Sequence, residues 1–232
     1  VDGRELEAAK AIILATGSVA RPIPGASFGG TVIDTAQAWA LEALPKRLAV
    51  VGSGPSGCEI ASAYARFGVE VELFEALDRV LPSEDKDISR LVERGLAKQG
   101  ITVHKSTLIG DIKAEKNSAS YSFGEEKGEA DWLVIAAGRG ADVEALGLGA
   151  SGLELDEHGL IAVDGQLRTS AEGIYAIGDL VHGPALAHKA SEEGIIAAET
   201  IAGENPAPLA YIDIPRATFC SPNVASFGLT EE

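Results

Sequence analysis

The sequence predicts an α/β protein with a Rossmann-like parallel sheet, and three observations lead there. Short apolar runs at residues 11–15, 48–51, 133–136 and 173–177 each run into a glycine-bearing turn, as buried strands do. Residues 48–75 read as strand, glycine turn, helix and strand, a βαβ unit of the size that joins two parallel neighbours. Helical periodicity at 87–99 and 187–202 then alternates with further strands.

The elements follow in order. The run at 11–15 predicts a fully buried strand closed by Thr16-Gly17-Ser18, and Pro22, Pro24 and Gly25 make a stiff connection. Residues 35–44 predict a short helix stopped by Pro45. Leu48-Ala49-Val50-Val51 enters Gly52-Ser53-Gly54-Pro55-Ser56-Gly57, and Ile60, Ala61, Ala63, Tyr64 and Phe67 recur behind it at helical spacing until Gly68. Val69, Val71 and Leu73 alternate with Glu70 and Glu72, so a second strand ends at Phe74-Glu75. A helix at 87–99 stops at Gly100, and a short strand covers 101–103. Alternation across 112–132, with turns at Lys116-Asn117 and Lys127-Gly128, predicts an antiparallel hairpin or meander. Strands at 133–136 and 173–177, a helix at 187–202 ended by Gly203, and a linker at Pro206 and Pro208 complete the pattern.

Composition narrows the chemistry. The 232 residues carry 35 acidic and 19 basic side chains, a formal charge of −16. Such an excess repels phosphate backbones, so nucleic acid and anionic membrane surfaces are poor partners. No uncharged apolar stretch reaches the roughly 18 residues of a spanning helix, and the chain reads as soluble and cytoplasmic. It holds no methionine, opens on Val1 and stops at Phe227-Gly228-Leu229-Thr230-Glu231-Glu232, so a fragment is expected. Cys58 and Cys220 form no CxxC or zinc pattern and read as small buried side chains. The four histidines show no metal spacing, HExxH is absent, and Ser56 fails GxSxG because Cys58 follows Gly57.

Gly52, Gly54 and Gly57 form GxGxxG between a strand and a helix. The first glycine permits the tight turn, the second a close pyrophosphate, the third helix–strand packing. Ser53, Pro55 and Ser56 complete the loop, where proline suits the first helical turn and the helix amides face an anion. Glu75, 23 positions after Gly52, stands at the end of the second strand, where a carboxylate accepts from ribose hydroxyls and repels a 2′-phosphate. Only Arg79 lies close by, so NAD is preferred over NADP. Glu59 has two readings, a dipole-stabilised acid in the first helical turn or a residue of the ligand site.

Ala15-Thr16-Gly17-Ser18, the segment 52–59, Gly138-Arg139, Gly178-Asp179, Leu186-Ala187-His188-Lys189-Ala190, Glu193-Gly194 and the terminal Phe227 to Glu232 motif occur in the order seen in flavoprotein disulfide reductases. The chain resembles this pyridine nucleotide-disulfide oxidoreductase family along essentially its whole length, and within it the dihydrolipoamide dehydrogenase branch. The resemblance implies a NAD-binding domain inserted in a split FAD-binding domain. Residues 1–33 would end the first FAD segment, 34–141 form the NAD domain, 142–209 return to the FAD side, and 210–232 open an interface domain with a strand near Ile212. It also implies that Thr16, Gly17, Ser18, Asp179, Ala185, Leu186, Ala187 and His188 contact FAD. Ile109 and Gly138 would contact NAD, and Glu59 would sit by the nicotinamide–flavin junction. The activity implied is transfer from dihydrolipoamide through a disulfide and FAD to NAD+, by a homodimer that can join a 2-oxo acid dehydrogenase complex.

The departures are specific. A first GxGxxG for FAD, a CxxxxC redox pair and the interface-domain His-Glu pair are absent from these residues, so no catalytic residue is assigned. Gly140-Ala141-Asp142 replaces a proline-containing turn, and Asn223 stands where an acid is commoner. Other family branches (mercuric reductase, soluble transhydrogenase, quinone reductase) and a non-catalytic dinucleotide-binding module are the competing readings.

Overall fold

In the computed structural model, residues 7–141, 143, 146–148 and 152–231 are described. Asp142 and Glu232 fall outside them. The chain forms two units: one of residues 1–19 and 139–214, the other of residues 20–138 and 215–232.

The second unit is organised by a parallel sheet in the order β3-β10-β4-β5-β6, from β3 (Val32–Asp34), β4 (Arg47–Val51), β5 (Glu70–Phe74), β6 (Thr102–His104) and β10 (Trp132–Ile135). Strand alternation sends Leu48, Val50, Val71, Leu73 and Val134 to one face, where they meet Ile60 and Tyr64 of α2 (Pro55–Arg66) and Val92 and Leu96 of α3 (Lys86–Lys98). Ala49, Val51, Phe74, Leu133 and Ile135 point to the other face. There they pack beneath a three-stranded antiparallel sheet of β7 (Ile109–Ala114), β8 (Ala119–Phe123) and β9 (Glu126–Ala130). Burying a leucine or isoleucine this fully contributes about 1.5–3 kcal/mol each. The sheet is covered on both faces, as parallel sheets require.

Two expectations change here. The chain turns at Gly124, whose φ is +57°, and not at Lys127-Gly128, which lies within β9. Gly128 is instead the small residue over which the Tyr121 ring lies, for a Cβ there would stand 2.2 Å from the ring. The helix expected at 35–44 is only α1 (Thr35–Trp39), opened by a capping box between Asp34 and Gln37. Only Ala38 of it is buried, so little apolar burial supports a longer helix.

The other unit holds β1 (Ile12–Leu14) paired in parallel with β12 (Ile174–Ala176), and α4 (Ala187–Ala202), ended by Gly203 at φ +96°. Strands β2 (Ser18–Ala20) and β11 (Arg139–Ala141) lie where the chain passes between units. Leu180, Val181, Ala176, Ile161 and Ala141 form one apolar cluster, and Leu167, Tyr175, Ile196 and Ala197 a second. The expected full burial of β1 is not met: Ile12 and Ile13 are 48% and 40% exposed. Among the described residues its sheet pairs it with β12 alone, so it lacks a strand on its other edge. Nor does a strand begin near Ile212, which sits in a 3₁₀ turn (Tyr211–Asp213). The antiparallel pair β13 (Arg216–Thr218) and β14 (Val224–Ser226) follows, in the unit of the large sheet.

Gly95, inside α3, marks the tightest approach of that helix to the segment after β13. A Cβ would lie 2.3 Å from Pro222 Cδ and 2.6 Å from the Ser221 carbonyl. Alanine favours a helix interior by about 1 kcal/mol over glycine, while overpacking costs about 1–3 kcal/mol. We expect Gly95→Ala to lower stability despite its better propensity, read as a fall in the urea midpoint at unchanged slope.

Candidate functional site

The glycine loop lies at the carboxyl end of β4. Gly52 adopts φ +97° and donates its amide to the Phe74 carbonyl at 2.8 Å. A Cβ on Gly52 would meet the Ala136 carbonyl at 2.7 Å, and one on Gly57 would stand 1.9 Å from the Gly52 carbonyl. Both positions therefore exclude a side chain for reasons of packing. Gly54 differs, with open space where its Cβ would be and φ −66°. It is the N-cap of α2 with no side-chain cap, and the first main-chain bond of the turn runs from Cys58 N to Gly54 O at 3.0 Å. The amides of Ser56 and Gly57 precede that bond, Pro55 has none to offer, and the positive end of the helix dipole faces the same space.

Glu75 is held against this loop. Its Oε2 accepts from Ser53 N at 2.8 Å and Ser53 Oγ at 2.7 Å, and its Oε1 accepts from Leu77 N at 2.9 Å. Glu75 is 8% exposed and Ser53 fully buried. Charge-assisted bonds of this kind are about twice as strong as neutral ones, so the acid is locked to the loop rather than dangling from a strand end. Two carboxylate oxygens offer about four acceptor sites. Three are used by the loop, and among the described residues no further donor is bonded to Oε1.

The remaining residues expected on the NAD side spread through the same unit. Glu59, on α2, accepts from Phe219 N at 2.9 Å. Ile109 opens β7 and packs in the cluster of Phe74 and Tyr121. Gly138 follows β10 at φ +151°, with open space where a Cβ would be. Cys58 and Cys220 are both buried, their thiols donating to Ser53 O at 3.2 Å and Pro222 O at 3.1 Å. Burial pushes both thiols up, Cys58 the further, with the neighbouring Cys220, Glu75 and Glu59 adding to it. They are inert thiols of the packed interior. Glu72, read from sequence only as the polar side of a strand, accepts from Tyr121 Oη at 2.6 Å, and burial followed by this bond drives that phenol well above its usual range.

The residues expected on the FAD side all lie in the other unit. Thr16 is exposed and Gly17 adopts φ +77°. Ser18 Oγ donates to Asp179 Oδ2 at 2.5 Å and accepts from Arg139 Nε at 2.8 Å. Asp179 belongs to the 3₁₀ turn Gly178–Leu180 that follows β12, and among the described residues no donor reaches its Oδ1. Ala185, Leu186, Ala187 and His188 form the entry to α4, where the N-cap Leu186 has no side-chain cap. Three side chains that residue-by-residue reading left unassigned stand behind Asp179: Lys189, Glu193 and Tyr211. The i,i+4 spacing of Lys189 and Glu193 signals a pair, yet it gives no sign that both are fully buried. Among the described residues no group of three or more His, Cys, Asp or Glu is placed to hold a metal ion, and no helix is long and apolar enough to cross a membrane.

A parallel sheet with a glycine loop and a locked acid at its carboxyl end in one unit, and a strand-tip carboxylate in the other, are features of the α/β fold of the dinucleotide-binding disulfide oxidoreductases. The family model for pyridine nucleotide-disulphide oxidoreductases matches residues 1–194, and the chain belongs to that family. It is 41% identical over 227 residues to a dihydrolipoyl dehydrogenase of Bacillus subtilis, covering 96% of this chain and 48% of that protein. A dihydrolipoyl dehydrogenase of Chlorobaculum tepidum is 44% identical over 230 residues, covering 97% and 49%. Among solved structures, the HOCl-induced flavoprotein disulfide reductase RclA from Escherichia coli, as its Cu(II) complex, matches with a TM-score of 0.88 at 29% identity, over 95% of this chain and 51% of that one. The chain thus spans about half the length of the relatives it matches.

The three glycines of the loop separate packing from ligand access. Gly54→Ala should leave thermal stability nearly unchanged, because its φ suits alanine and the space is open. The methyl would still keep a diphosphate from the amides, weakening nucleotide binding by about tenfold or more, the equivalent of 1.4 kcal/mol. Titration of nucleotide fluorescence beside a thermal melt measures both.

Proposed function

We propose that this chain is the dinucleotide-holding portion of a FAD- and NAD-dependent oxidoreductase of the dihydrolipoyl dehydrogenase type. The observation that carries it is the Ser53–Glu75 lock beside the uncapped α2 terminus: main-chain amides for a diphosphate, and a fixed carboxylate for the hydroxyls of a ribose without a 2′-phosphate. The residues present fit both dinucleotides, since Gly54 leaves space for one pyrophosphate and Asp179 keeps an oxygen for a flavin-side hydroxyl. When bound, the flavin and the nicotinamide supply the redox chemistry by passing a hydride. The part of this chain is to bind and orient. Gly52, Ser53, Gly54, Pro55, Ser56 and Gly57 would cradle the NAD diphosphate, and Glu75 would select NAD, with Glu59, Ile109 and Gly138 along the same ligand. Thr16, Gly17, Ser18 and Asp179, with Ala185, Leu186, Ala187 and His188, would line FAD.

The same proposal covers the domain plan and the assembly. Residues 1–33 and 142–209 would serve the FAD domain, 34–141 the NAD domain and 210–232 the opening of a dimerisation domain. The whole protein would be a cytoplasmic homodimer, with a lipoyl-bearing partner in a 2-oxo acid dehydrogenase complex. The overall reaction takes two electrons and two protons from dihydrolipoamide, leaving a disulfide, NADH and one proton. The thiol relay it needs is supplied by neither Cys58 nor Cys220, both buried and protonated.

Two measurements test this. In the full-length enzyme NAD should be favoured over NADP, and Glu75→Ala combined with Leu77→Arg should cut the ratio of their kcat/KM values by about tenfold or more. An unchanged ratio removes Glu75 as the ribose reader. The 232-residue chain alone should not turn over dihydrolipoamide, and reduction of NAD+ by it with that substrate would refute the assignment of thiol chemistry elsewhere.

A further inference from the structure

We propose that Lys189 and Glu193 are positioning residues for Asp179, a buried ion pair that grips both sides of the Gly178 residue and thereby aims the flavin-side carboxylate. The inference deepens the FAD reading above and rests on it. Both side chains are 0% exposed, and Lys189 Nζ lies 3.1 Å from Glu193 Oε1. Taking two charges out of water costs several kcal/mol each, and such pairs are often replaceable by apolar side chains without loss of stability. Bulk stability is therefore a poor reason for this pair to exist. Its geometry gives a better one.

Glu193 Oε2 accepts the Gly178 amide at 2.7 Å, while Lys189 Nζ donates to the Gly178 carbonyl at 2.8 Å. The amide belongs to the peptide before Gly178 and the carbonyl to the peptide that carries the Asp179 nitrogen. Both planes are thus held from one helix, α4. Gly178 adopts φ +71°, and because glycine takes positive and negative φ about equally readily, local propensity alone does not hold it there. Tyr211 closes the arrangement: its hydroxyl donates to Glu193 Oε1 at 2.6 Å, and its ring lies 5.6 Å from Lys189 Nζ. Burial, then the bond to Glu193, drives the Tyr211 phenol well above its usual range, so it stays a donor. From Gly178 the order passes to Asp179, then through Oδ2 to Ser18 Oγ and on to Arg139 Nε. The Ser18 hydroxyl has one proton, and it goes to Asp179. Every member of this chain of bonds lies in one unit.

The test is a double-mutant cycle in the full-length flavoprotein. Lys189→Met combined with Glu193→Gln removes both charges and keeps one oxygen as acceptor for the Gly178 amide, and a thermal melt of the apoprotein checks that the fold survives. FAD affinity, read from the fluorescence of released flavin, should weaken by about tenfold. Asp179→Ala should weaken it by at least as much. Because the pair acts through Asp179, combining the two sets should cost little more than Asp179→Ala alone. Tyr211→Phe, which leaves the ion pair in place, should give a smaller loss of the same kind. Full additivity would overturn the proposal, showing a pair that serves only the packing of α4. Unchanged affinity in the neutral pair with a normal melt would overturn it too. Unchanged affinity in Asp179→Ala would instead remove the FAD reading on which it stands, and the two failures are distinguishable. Should the neutral pair fail to fold, Lys189→Arg, which keeps the charge but changes the reach to Gly178, is run through the same cycle with the same two outcomes.

Discussion

The large sheet and everything proposed of it depend on one contact, the backbone of α2 lying against the Gly52 carbonyl. At Gly57 the room left for a side chain is nil, 1.9 Å from that oxygen. Only with the helix seated this deeply does its first turn stand over the end of β4. That seating brings Ser53 back to Glu75, with the amides of Ser56 and Gly57 ahead of the first main-chain bond of α2. A wider turn would let the helix drift, and the dipole would then point past the strand ends where open α/β sheets take their ligands. The packing demand and the binding demand are met by different glycines of the same motif, which is why the spacing is informative and the count of glycines is not.

Charge takes an unusual route in this arrangement. The chain carries sixteen surplus negative charges, yet the ligands proposed for it are anions. The two demands are compatible because the cradle presents main-chain amides and a helix end, which keep their partial positive charge whatever the surface carries. The acid nearest the cradle, Glu75, is already satisfied by three donors. Its charge is spread over a short network and does not confront the diphosphate bare.

How much of this was legible in the sequence follows from range. The βαβ unit, the helix at 187–202 and the strands flanking Gly52 and Gly178 are set by local periodicity and punctuating glycines, and they appear as expected within a residue or two. Where a tertiary partner decides, the reading fails. Lys127-Gly128 has the composition of a turn, but the Tyr121 ring needs a residue without a side chain in the middle of β9. The run at 11–15 is as apolar as any core strand, yet among the described residues β1 has a single neighbouring strand. At the site, GxGxxG and Glu75 announce themselves by spacing. The Ser53 hydroxyl as the bolt of the lock does not, nor does the burial of Lys189 and Glu193, because a charged i,i+4 pair on a helix normally faces water.

The two units solve one problem by different means. Each places a carboxylate at the tip of a parallel strand, Glu75 after β5 and Asp179 after β12, and each fixes it with a serine hydroxyl, at 2.7 Å from Ser53 and 2.5 Å from Ser18. For Glu75 the backbone needs no further support. Its amide bonds the His104 carbonyl and its carbonyl takes the Thr107 amide, so the continuing sheet edge holds it. For Asp179 the ladder has ended: β12 is flanked by β1 and by the bridging segment 167–169, the last bond to β1 runs from Ile177 N to Leu14 O, and a left-handed glycine comes immediately before the acid. Backbone groups just past the end of a ladder must find their hydrogen bonds elsewhere or remain unsatisfied in the interior. Lys189 and Glu193 supply them from the side. On the positioning proposal, the buried ion pair takes over where the ladder ends, at the residue immediately before the acid to be aimed.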